Sequence, residues 1–472
     1  MIPSSVPIQF ATEARSTPNS AQKKWLIAML ACVCAGIVWK PDATVRLIAV
    51  LVTAFYLASV LYKFALVFFG VTRKRELAVS PEQIASLDEK NLPVYTVLVP
   101  LYKETRILPQ TISAISGLDY PSDKLDVKFL IEQDDRAMQQ ALATFPLPEF
   151  VEVVIVPDTG PKTKPRACNA GLCTARGEFL VIYDAEDIPD ADQLKKSVSA
   201  FRSLCDERII CLQAKLNYYN PRQNILTRWF TAEYSTWFDL YLPGIDYFGA
   251  PIPLGGTSNH FRTAQLREIG GWDPYNVAED CDLGIRLFRA GYRTRILDST
   301  TWEEANSHIN NWMRQRSRWV KGYIQTALVH YRRPVALLRE MGVFNAASFK
   351  FTVFGHVFTL LVNPAYWVIT LVWIFTHLGE PISTWCAPGS SSLVTFALFF
   401  SNFIFVFLNM LGCVRRKYPD LVKESLISPV YWVLMSVGAW KGFLQLFTRP
   451  HYWEKTEHGL VAKETMGPAT ST

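Results

Sequence analysis

Long apolar runs near both ends of the chain predict membrane-spanning helices around a soluble core. Residues 1–22 are polar and rich in Pro, Ser and Thr, which is typical of a disordered tail. Within residues 23–75, apolar runs cover 25–39 and 47–71. The first run is short enough for a signal-peptide core, but no clear cleavage site follows it. We therefore expect two transmembrane helices here.

Basic residues beside these runs predict their orientation. Lys23 and Lys24 precede the first run, and a basic triplet at 73–75 follows the second. Lys and Arg concentrate in the cytosolic loops of membrane proteins. The two helices are therefore expected to form a hairpin whose ends, like the soluble segment that follows, lie in the cytosol.

A second pair of transmembrane helices is predicted within residues 351–414, and residues 334–350 before them are expected to lie at the membrane interface. The loop 377–392 between these helices carries no Lys or Arg, whereas a basic triplet at 415–417 follows the second helix. The same charge rule places the loop outside and the following segment inside.

The apolar stretch 428–447 allows two interpretations. It begins with Ser-Pro, contains Gly438 and Lys441, and is barely long enough to span a bilayer. It is either a helix that lies in the membrane interface, which we favour, or a fifth span. The choice decides on which side of the membrane the C-terminal residues 448–472 lie.

Residues 93–333 carry a different pattern, in which short apolar runs alternate with segments of helical length. This alternation predicts an α/β domain with a mostly parallel sheet, inserted between the two pairs of transmembrane helices. The predicted strands are 94–99, 127–132, 152–156, 178–183 and 209–213.

Composition agrees with a multi-pass α-helical membrane protein and disfavours other classes. Half of the 472 residues are apolar, 19% are charged, and the net charge is +6. The basic excess lies beside the apolar runs and forms no stripe interleaved with aromatic residues, so nucleic-acid binding is not expected. The nine cysteines lack paired C-x-x-C spacing, which argues against a disulfide framework or a zinc site.

Three carboxylates follow the predicted strand 178–183 directly, namely Asp184, Glu186 and Asp187. Ligands of open α/β sheets bind beyond the carboxyl ends of the strands. Carboxylate oxygens there suit Mg²⁺ or Mn²⁺, which bridge to phosphate oxygens. An isolated acidic turn of this kind is more often simply solvated, so its neighbours decide the interpretation.

Two further predicted strands end in acidic residues: Glu104 after one, and Asp134 with Asp135 after the other. A basic segment that contains Lys164 lies between these strands and the acidic turn, and it is able to face a diphosphate. Alone, such a segment is an ordinary basic loop. Together, we expect these groups to converge at one edge of the sheet.

Two helical segments further along carry candidate chemistry. Glu279 and Asp280 open a helix, where acidic side chains either complement the helix dipole or supply a general base that deprotonates an attacking hydroxyl group. Gln315, Arg318 and Trp319 share one face of a second helix. That face either packs against the membrane or binds a sugar and a phosphate.

These motifs, in this order, resemble those of the family 2 glycosyltransferases, especially the membrane-bound cellulose synthase-like and curdlan synthase-like enzymes. The resemblance covers residues 93–333 well and the flanking spans more loosely. Each signature is weak alone, but four in suitable order and spacing are specific. They are a D-D pair at Asp134–Asp135, D-x-D as Asp184-Ala185-Glu186, T-E-D as Ala278-Glu279-Asp280, and Q-x-x-R-W as Gln315–Trp319.

The resemblance implies a nucleotide-sugar-binding, GT-A-like fold and a donor site for a UDP-sugar. Asp134 or Asp135 would hold the uracil and ribose, beside Glu104 and Lys164. The metal-bound diphosphate would lie at Asp184 and Glu186, with Mg²⁺ or Mn²⁺ as the cofactor. Glu186 departs from the family pattern, because it replaces an Asp and is one methylene longer.

The resemblance also implies a base and an acceptor site. Asp280 would be the base of a single inverting displacement, with Glu279 the next candidate, although Ala278 replaces the Thr of T-E-D. Gln315 and Trp319 would hold the acceptor end, and Arg318 the pyrophosphate.

The C-terminal tail resembles the F-x-V-T-x-K-G gating loop of cellulose synthases. Trp453, Thr456, His458 and Gly459 stand at its informative positions. Such a loop closes over the bound donor, so it must reach a cytosolic active site. This requirement favours an interfacial helix over a fifth span at 428–447.

The implied function is transfer of a sugar, most simply glucose, from a UDP-sugar to a growing β-glycan in the bacterial inner (plasma) membrane. A processive synthase would also pass the glycan through its own spans, with membrane lipid and partner subunits or further copies around it. Because four spans are few for a channel, a non-processive transferase acting on a lipid or short acceptor stays an alternative. A transporter or receptor is disfavoured, since no charged midplane helix or pseudo-repeat is visible.

Overall fold

The structure, a computed structural model, describes residues 13–73, 75–158, 160–378, 390–457 and 459. Within these ranges, one eight-stranded mixed sheet is flanked in sequence by apolar helices on both sides. This arrangement confirms the predicted α/β domain inserted between membrane helices.

The chain begins with a helical hairpin. Helix α1 spans Ser20–Trp39 and α2 spans Pro41–Thr72, with only Lys40 between them. A proline is tolerated at the start of α2 but would interrupt the hydrogen bonds of a continuing α1. At the other end of α1, Asn19 and Gln22 form a capping box, in which Asn19 Oδ1 accepts from Gln22 N at 2.8 Å.

Part of the predicted disordered tail 1–22 is ordered. Residues 1–12 lie outside the described residues, but Glu13–Ser16 form a 3-10 turn. In this turn Ala14 N donates to Asp273 Oδ2 at 2.8 Å, and Arg332 donates to the Ser16 carbonyl at 2.9 Å. The structure therefore corrects the prediction for residues 13–22, because composition carries no information about such long-range contacts.

The sheet has the strand order β3-β2-β1-β4-β7-β6-β8-β5. Its strands are β1 (Tyr95–Leu101), β2 (Leu125–Glu132), β3 (Val151–Val156), β4 (Phe179–Ile182), β5 (Ile188–Pro189), β6 (Ile209–Tyr218), β7 (Asn259–Arg262) and β8 (Arg293–Glu303). Only β5 and β7 run antiparallel to their neighbours. The carboxyl ends of the other six strands therefore point toward one edge.

Helices connect these strands and extend the domain toward the membrane helices. They are α3 (Pro81–Ala85), α4 (Leu108–Ser116), α5 (Arg136–Thr144), α6 (Lys164–Thr174), α7 (Gln193–Ser203), α8 (Ile225–Thr236), α9 (Leu242–Tyr247), α10 (Thr263–Glu268), α11 (Glu279–Arg289) and α12 (Ile309–His330). A π-helical turn, Trp237–Tyr241, joins α8 to α9.

The C-terminal region is helical where the structure describes it. It contains α13 (Pro334–Phe349), α14 (Gly355–Thr376), α15 (Ser390–Arg415), α16 (Val422–Ser425) and α17 (Ser428–Thr448). A second π-helical turn, Lys350–Phe354, joins α13 to α14. Gly342 interrupts α13 with a φ of +76°, a conformation that favours glycine.

Four segments of the described chain are long and apolar enough to cross a membrane. They are Ala14–Trp39, Pro41–Thr72, Pro334–Thr376 and Val394–Arg415, and they contain the four predicted spans. Helix α17 is not among them and packs along α12. The interfacial placement of 334–350 and 428–447 stays a prediction, and residues 379–389 of the predicted external loop lie outside the described residues.

The domain and the membrane helices share one apolar core. Buried side chains of that core come from α2, α14 and α15 as well as from β4, β6 and α8. At one crossing, the backbone of Gly244 in α9 lies so close to α2 that a Cβ atom there would sit 2.0 Å from the Leu66 carbonyl oxygen. The position of the sheet relative to α2 therefore depends on the absence of a side chain at this point.

Candidate active site

A cavity of about 230 Å³ lies at the carboxyl edge of the sheet, where the strand-end rule places a ligand. It is lined by the ends of β1, β2, β4 and β8, the starts of α6 and α11, one face of α12 and the tail after α17. The sequence-predicted residues on its wall are Glu104, Lys164, Asp184, Glu186, Glu279, Asp280, Gln315, Arg318, Trp319, Trp453 and Thr456.

Other predicted site residues lie away from this wall. Asp134 is more than a third exposed and pairs with Lys162 at 2.6 Å. Asp135 is buried, caps α5 by accepting from Met138 N at 3.2 Å, and also accepts from Lys103 N. Asp135 therefore positions the loop after β1, and the donor-binding role of the pair stays a prediction.

The amine of Lys164, the first residue of α6, sits on the acidic turn after β4. It donates to Asp184 Oδ1, and to the carbonyl of Gly256 at 2.7 Å. Burial alone would lower the pKa of Lys164, but nearby carboxylates, Asp184 first among them, outweigh it and raise the pKa. A protonated amine is thus held at the place where the sequence predicts a diphosphate.

Four carboxylates crowd this end of the cavity. Burial, followed by the charges of Asp184 and Glu186, raises the pKa of Asp187 well above its usual range. Burial and the charges of the other three do the same for Glu303 at the end of β8. Asp187 Oδ2 accepts from Asp184 N at 2.7 Å and fixes the turn, whereas its Oδ1 is buried without a partner among the described residues.

These groups fit a divalent cation that arrives with the donor. A cation would offset the mutual repulsion that adds to burial in raising these pKa values, and carboxylate oxygens are suitable ligands. Among the described residues, no cluster of three or more His, Cys, Asp or Glu side chains forms a ready-made metal site. Phosphate and water oxygens would therefore have to complete the coordination at Asp184 and Glu186.

Glu279 and Asp280 form an unequal pair at the start of α11. Burial and the charge of Asp280 raise the pKa of Glu279 to about 8, so this carboxyl group is mostly protonated at pH 7. Burial also raises the pKa of Asp280, but the amide of Cys281, which donates to Oδ1 at 2.7 Å, and the charges of Lys164 and Arg318 oppose the shift. Asp280 is therefore the better candidate for an ionised base.

The predicted face of α12 points into the cavity. Gln315 Oε1 accepts from Asn306 at 2.9 Å, which holds the amide in place. The indole of Trp319 stacks on Tyr234 with ring centroids 6.2 Å apart. This face combines an oriented amide and an aromatic platform with the guanidinium of Arg318, as sugar and phosphate binding requires.

The tail after α17 crosses the cavity. The guanidinium of Arg318 lies 4.3 Å from the ring centroid of Trp453. Glu457 exchanges two hydrogen bonds with Asn311 at 2.7 and 3.0 Å, and Gly459 N donates to Glu304 at 2.5 Å. His458 lies outside the described residues.

The wall residues that sequence reasoning missed include Glu303, Tyr234 and Lys455. Lys455 donates to the Tyr102 carbonyl and lies 3.4 Å from Glu104. Glu303 ends β8, a strand with too few apolar residues to be recognised from the sequence. Tyr234 and Lys455 reach the site only through tertiary packing.

Comparison with known proteins supports the family resemblance that the motifs indicate. A family model described as glycosyl transferase family group 2 matches residues 179–420, a range that includes Asp184, Asp280 and the Gln315–Trp319 motif. The probable glycosyltransferase YdaM of Bacillus subtilis (strain 168) is 27% identical over 285 residues, which are 60% of this chain and 67% of that protein.

Two further relatives match about half of this chain. Cellulose synthase 2 of Novacetimonas hansenii is 28% identical over 248 residues, 50% of this chain and 15% of that protein. Glucomannan 4-beta-mannosyltransferase 2 of Arabidopsis thaliana is 26% identical over 253 residues, 50% of this chain and 45% of that protein. The chain thus spans less than half the length of either relative.

Among solved structures, a mannosyltransferase from Pyrobaculum calidifontis in complex with GDP-Man and Mn²⁺ covers 76% of this chain and 98% of its own, with 19% identity and a TM-score of 0.43. That likeness is distant, so donor and metal are argued from the residues of this chain alone. The family model, the relatives and the order of the motifs agree. The chain belongs to glycosyl transferase family group 2, within which it resembles the cellulose synthases.

Proposed function

We propose that this protein is an inverting glycosyltransferase that moves a sugar, expected to be glucose, from a UDP-sugar to a growing β-glycan at the membrane. The observation that carries the proposal is the convergence of Asp184, Asp280 and Arg318 on one cavity that the C-terminal tail crosses. The names of two relatives, a cellulose synthase and a glucomannan 4-beta-mannosyltransferase, favour a β-glycan product.

The proposed reaction is a single displacement. Asp280 accepts the proton of the acceptor hydroxyl as its oxygen attacks the anomeric carbon. The bond between that carbon and the diphosphate oxygen breaks, and its electron pair leaves with UDP. Lys164 and Arg318 offset the negative charge on the leaving group.

Asp184 and Glu186 are proposed to hold Mg²⁺ or Mn²⁺ together with the donor. When bound, the ion would neutralise charge on the diphosphate. Asp134, Asp135 and Glu104 are proposed for the nucleoside end of the donor, and Gln315 with Trp319 for the acceptor.

The proposed location is the bacterial inner (plasma) membrane, with the catalytic domain in the cytosol. The clustering of Lys and Arg at the start of α1, after α2 and at the end of α15 supports this orientation. The tail crossing the cavity then lies in the cytosol as well.

The test is transfer by the purified protein in lipid nanodiscs with a panel of UDP-sugars and GDP-mannose. We expect UDP release with UDP-glucose and a β-linked product, measured by linkage analysis. Release of no nucleotide from any donor, or an α-linked product, would refute the proposal. Product length separates a processive synthase from a transferase that adds single sugars to a lipid or short acceptor.

A further inference from the structure

A second cavity, of about 90 Å³, adjoins the catalytic cavity on the side of the membrane helices. Both cavities are lined by Tyr234, Asp280 and Trp319, so they meet at the proposed base. The wall of the second cavity also contains His356 of α14 and Met435 of α17. It therefore extends from the reaction centre to the helix bundle.

Lys63 of α2 lies beside this wall and forms no ion pair with the described residues. Its Nζ atom is 3.3 Å from His356 Nδ1, and the residue is only 5% exposed. Its other neighbours are the rings of Tyr241 and Phe405, at 5.9 and 5.3 Å. No carboxylate of the described residues lies within ion-pair distance of this ammonium group. A buried ammonium group is unfavourable unless an anion accompanies it.

Two N–H donors on the wall of the second cavity are also without partners in the described part of the chain. Lys63 donates to His356 Nδ1, which places the imidazole proton on Nε2, and Nε2 has no hydrogen-bond partner there. Arg316 binds Glu233 through both terminal nitrogens and donates to Tyr431 at 2.8 Å. Its Nε atom is buried and unpaired.

The charges around the cavity leave a positive excess. Glu233 pairs with Arg316 and its charge also acts on Lys63, whereas Asp280 lies at the opposite end with Lys164 and Arg318, so one positive charge is left in excess among the described residues. Both α2 and α14 belong to candidate membrane spans. Nine residues separate Lys63 from the C-terminal end of α2, which is roughly 14 Å along the helix. The membrane supplies such an anion as the phosphate group of a lipid, which basic pockets between transmembrane helices can bind.

We propose that Lys63, His356 and Arg316 bind the phosphate group of a lipid at the membrane end of the second cavity. The inference rests on the proposed function, because a lipid-borne acceptor held there would direct its hydroxyl group toward Asp280. Two kinds of lipid carry such a phosphate group. One is a lipid joined to an acceptor sugar through a phosphate ester, and the other is a bilayer phospholipid with its headgroup.

Binding is tested without any donor, so that its failure is separate from failure of the proposed reaction. Protein in dodecyl maltoside is titrated with dodecyl phosphate by calorimetry. We expect saturable binding to the wild type, at least tenfold weaker binding to Lys63→Met, and retained binding to Lys63→Arg. Lys40→Met, an exposed lysine between α1 and α2, is the matched control and should bind like the wild type.

His356→Phe supplies a second variant that keeps an aromatic ring, and it should also bind at least tenfold more weakly. This second variant keeps the test decisive if Lys63→Met fails to fold. Absence of saturable binding to the wild type, or equal affinity in Lys63→Met, His356→Phe and Lys40→Met, overturns the proposal.

The source of the phosphate is separated with a matched pair of probes. Dodecyl phosphoglucose and dodecyl glucoside are supplied with labelled UDP-glucose. Faster labelling of the phosphorylated probe, lost in Lys63→Met, identifies an acceptor phosphate. Stimulation by phosphatidylglycerol without labelling of either probe identifies a bilayer headgroup. Equal labelling of both probes in the wild type and in Lys63→Met, with no effect of phosphatidylglycerol, contradicts the site.

Discussion

Replacing Asp280 by Asn should stop sugar transfer while the donor still binds. Asparagine keeps the size of the side chain and the oxygen that accepts from Cys281 N at 2.7 Å. It cannot take a proton from an attacking hydroxyl group. Glu279 is a poor substitute at pH 7, because its pKa of about 8 leaves it mostly protonated.

The size of the effect follows from the chemistry that is lost. General base catalysis contributes about 10²–10⁴-fold, which corresponds to ~3–5 kcal/mol of transition-state stabilisation. In the proposed reaction, donor binding depends instead on Lys164 and Asp184, which the substitution leaves in place. We therefore expect kcat to fall by that factor with little change in the affinity for UDP.

The assay is UDP release by purified protein in nanodiscs, with UDP affinity measured by calorimetry. Glu279→Gln is the comparison and should cost at most about tenfold, because glutamine resembles a protonated carboxyl group. The active form of Asp280 is the carboxylate, and burial raises its pKa. Wild-type kcat/KM should therefore fall as pH drops through that raised pKa, and Asp280→Asn should lack this fall. A loss of less than tenfold in Asp280→Asn would move the base elsewhere.

Four further outcomes are expected. EDTA should abolish transfer and Mg²⁺ or Mn²⁺ restore it, whereas Asp184→Asn should stay inactive with metal; full activity in EDTA would contradict the metal assignment. Trp453→Ala removes a cation–π contact worth ~0.5–2 kcal/mol, so kcat/KM should fall about 2- to 30-fold with unchanged melting temperature, and an unchanged kcat/KM would argue against gating. An impermeant thiol reagent should label Cys386 from outside intact cells and fail in Cys386→Ser; the lack of wild-type labelling would overturn the orientation. The pKa of Glu279 is raised from 4.5 to about 8, so between these values the folded state holds a proton that the unfolded state releases. The free energy of unfolding should therefore fall as pH rises from about 5 to 8. Glu279→Gln should reduce this pH dependence in denaturant titrations.

The sequence predicts the strands that are continuously apolar and misses those that are not. Strands β1 to β4 are rich in Val, Leu and Ile, although β3 at the edge of the sheet is largely exposed, and each was placed within a few residues. Strand β8 escaped because Ile296 and Leu297 are the only buried apolar side chains among its eleven residues. Because β8 was not predicted, its last residue, Glu303, was missed as well, although its carboxyl group lies among the acidic residues of the site.

The position of a motif in the sequence predicts its place in the structure only where a geometric rule connects the two. The strand-end rule places Glu104 and Asp184 on one wall, and helical spacing does the same for Gln315 and Trp319. No such rule applies to Asp135, whose carboxylate is taken up by the backbone of the loop after β1 and by the first turn of α5. A short polar side chain before a helix is as readily a cap as a ligand, and the sequence does not distinguish the two.

The predicted gating role of the tail would explain how a site assembled from distant segments exchanges its donor. Glu454 accepts from Lys441 of α17 at 2.7 Å and from Ser317 of α12 at 3.1 Å, whereas the next residue, Lys455, reaches the opposite rim at Glu104, 3.4 Å away. Partly exposed ion pairs of this kind contribute only about 0–1 kcal/mol each. Opening of the tail, which the gating prediction requires, would lose little free energy from these ion pairs. Thr456, between these contacts and the cavity, is buried with its hydroxyl unpaired among the described residues. A donor phosphate that accepts from this hydroxyl would close the tail over itself, because an unpaired buried hydroxyl disfavours the closed state without donor.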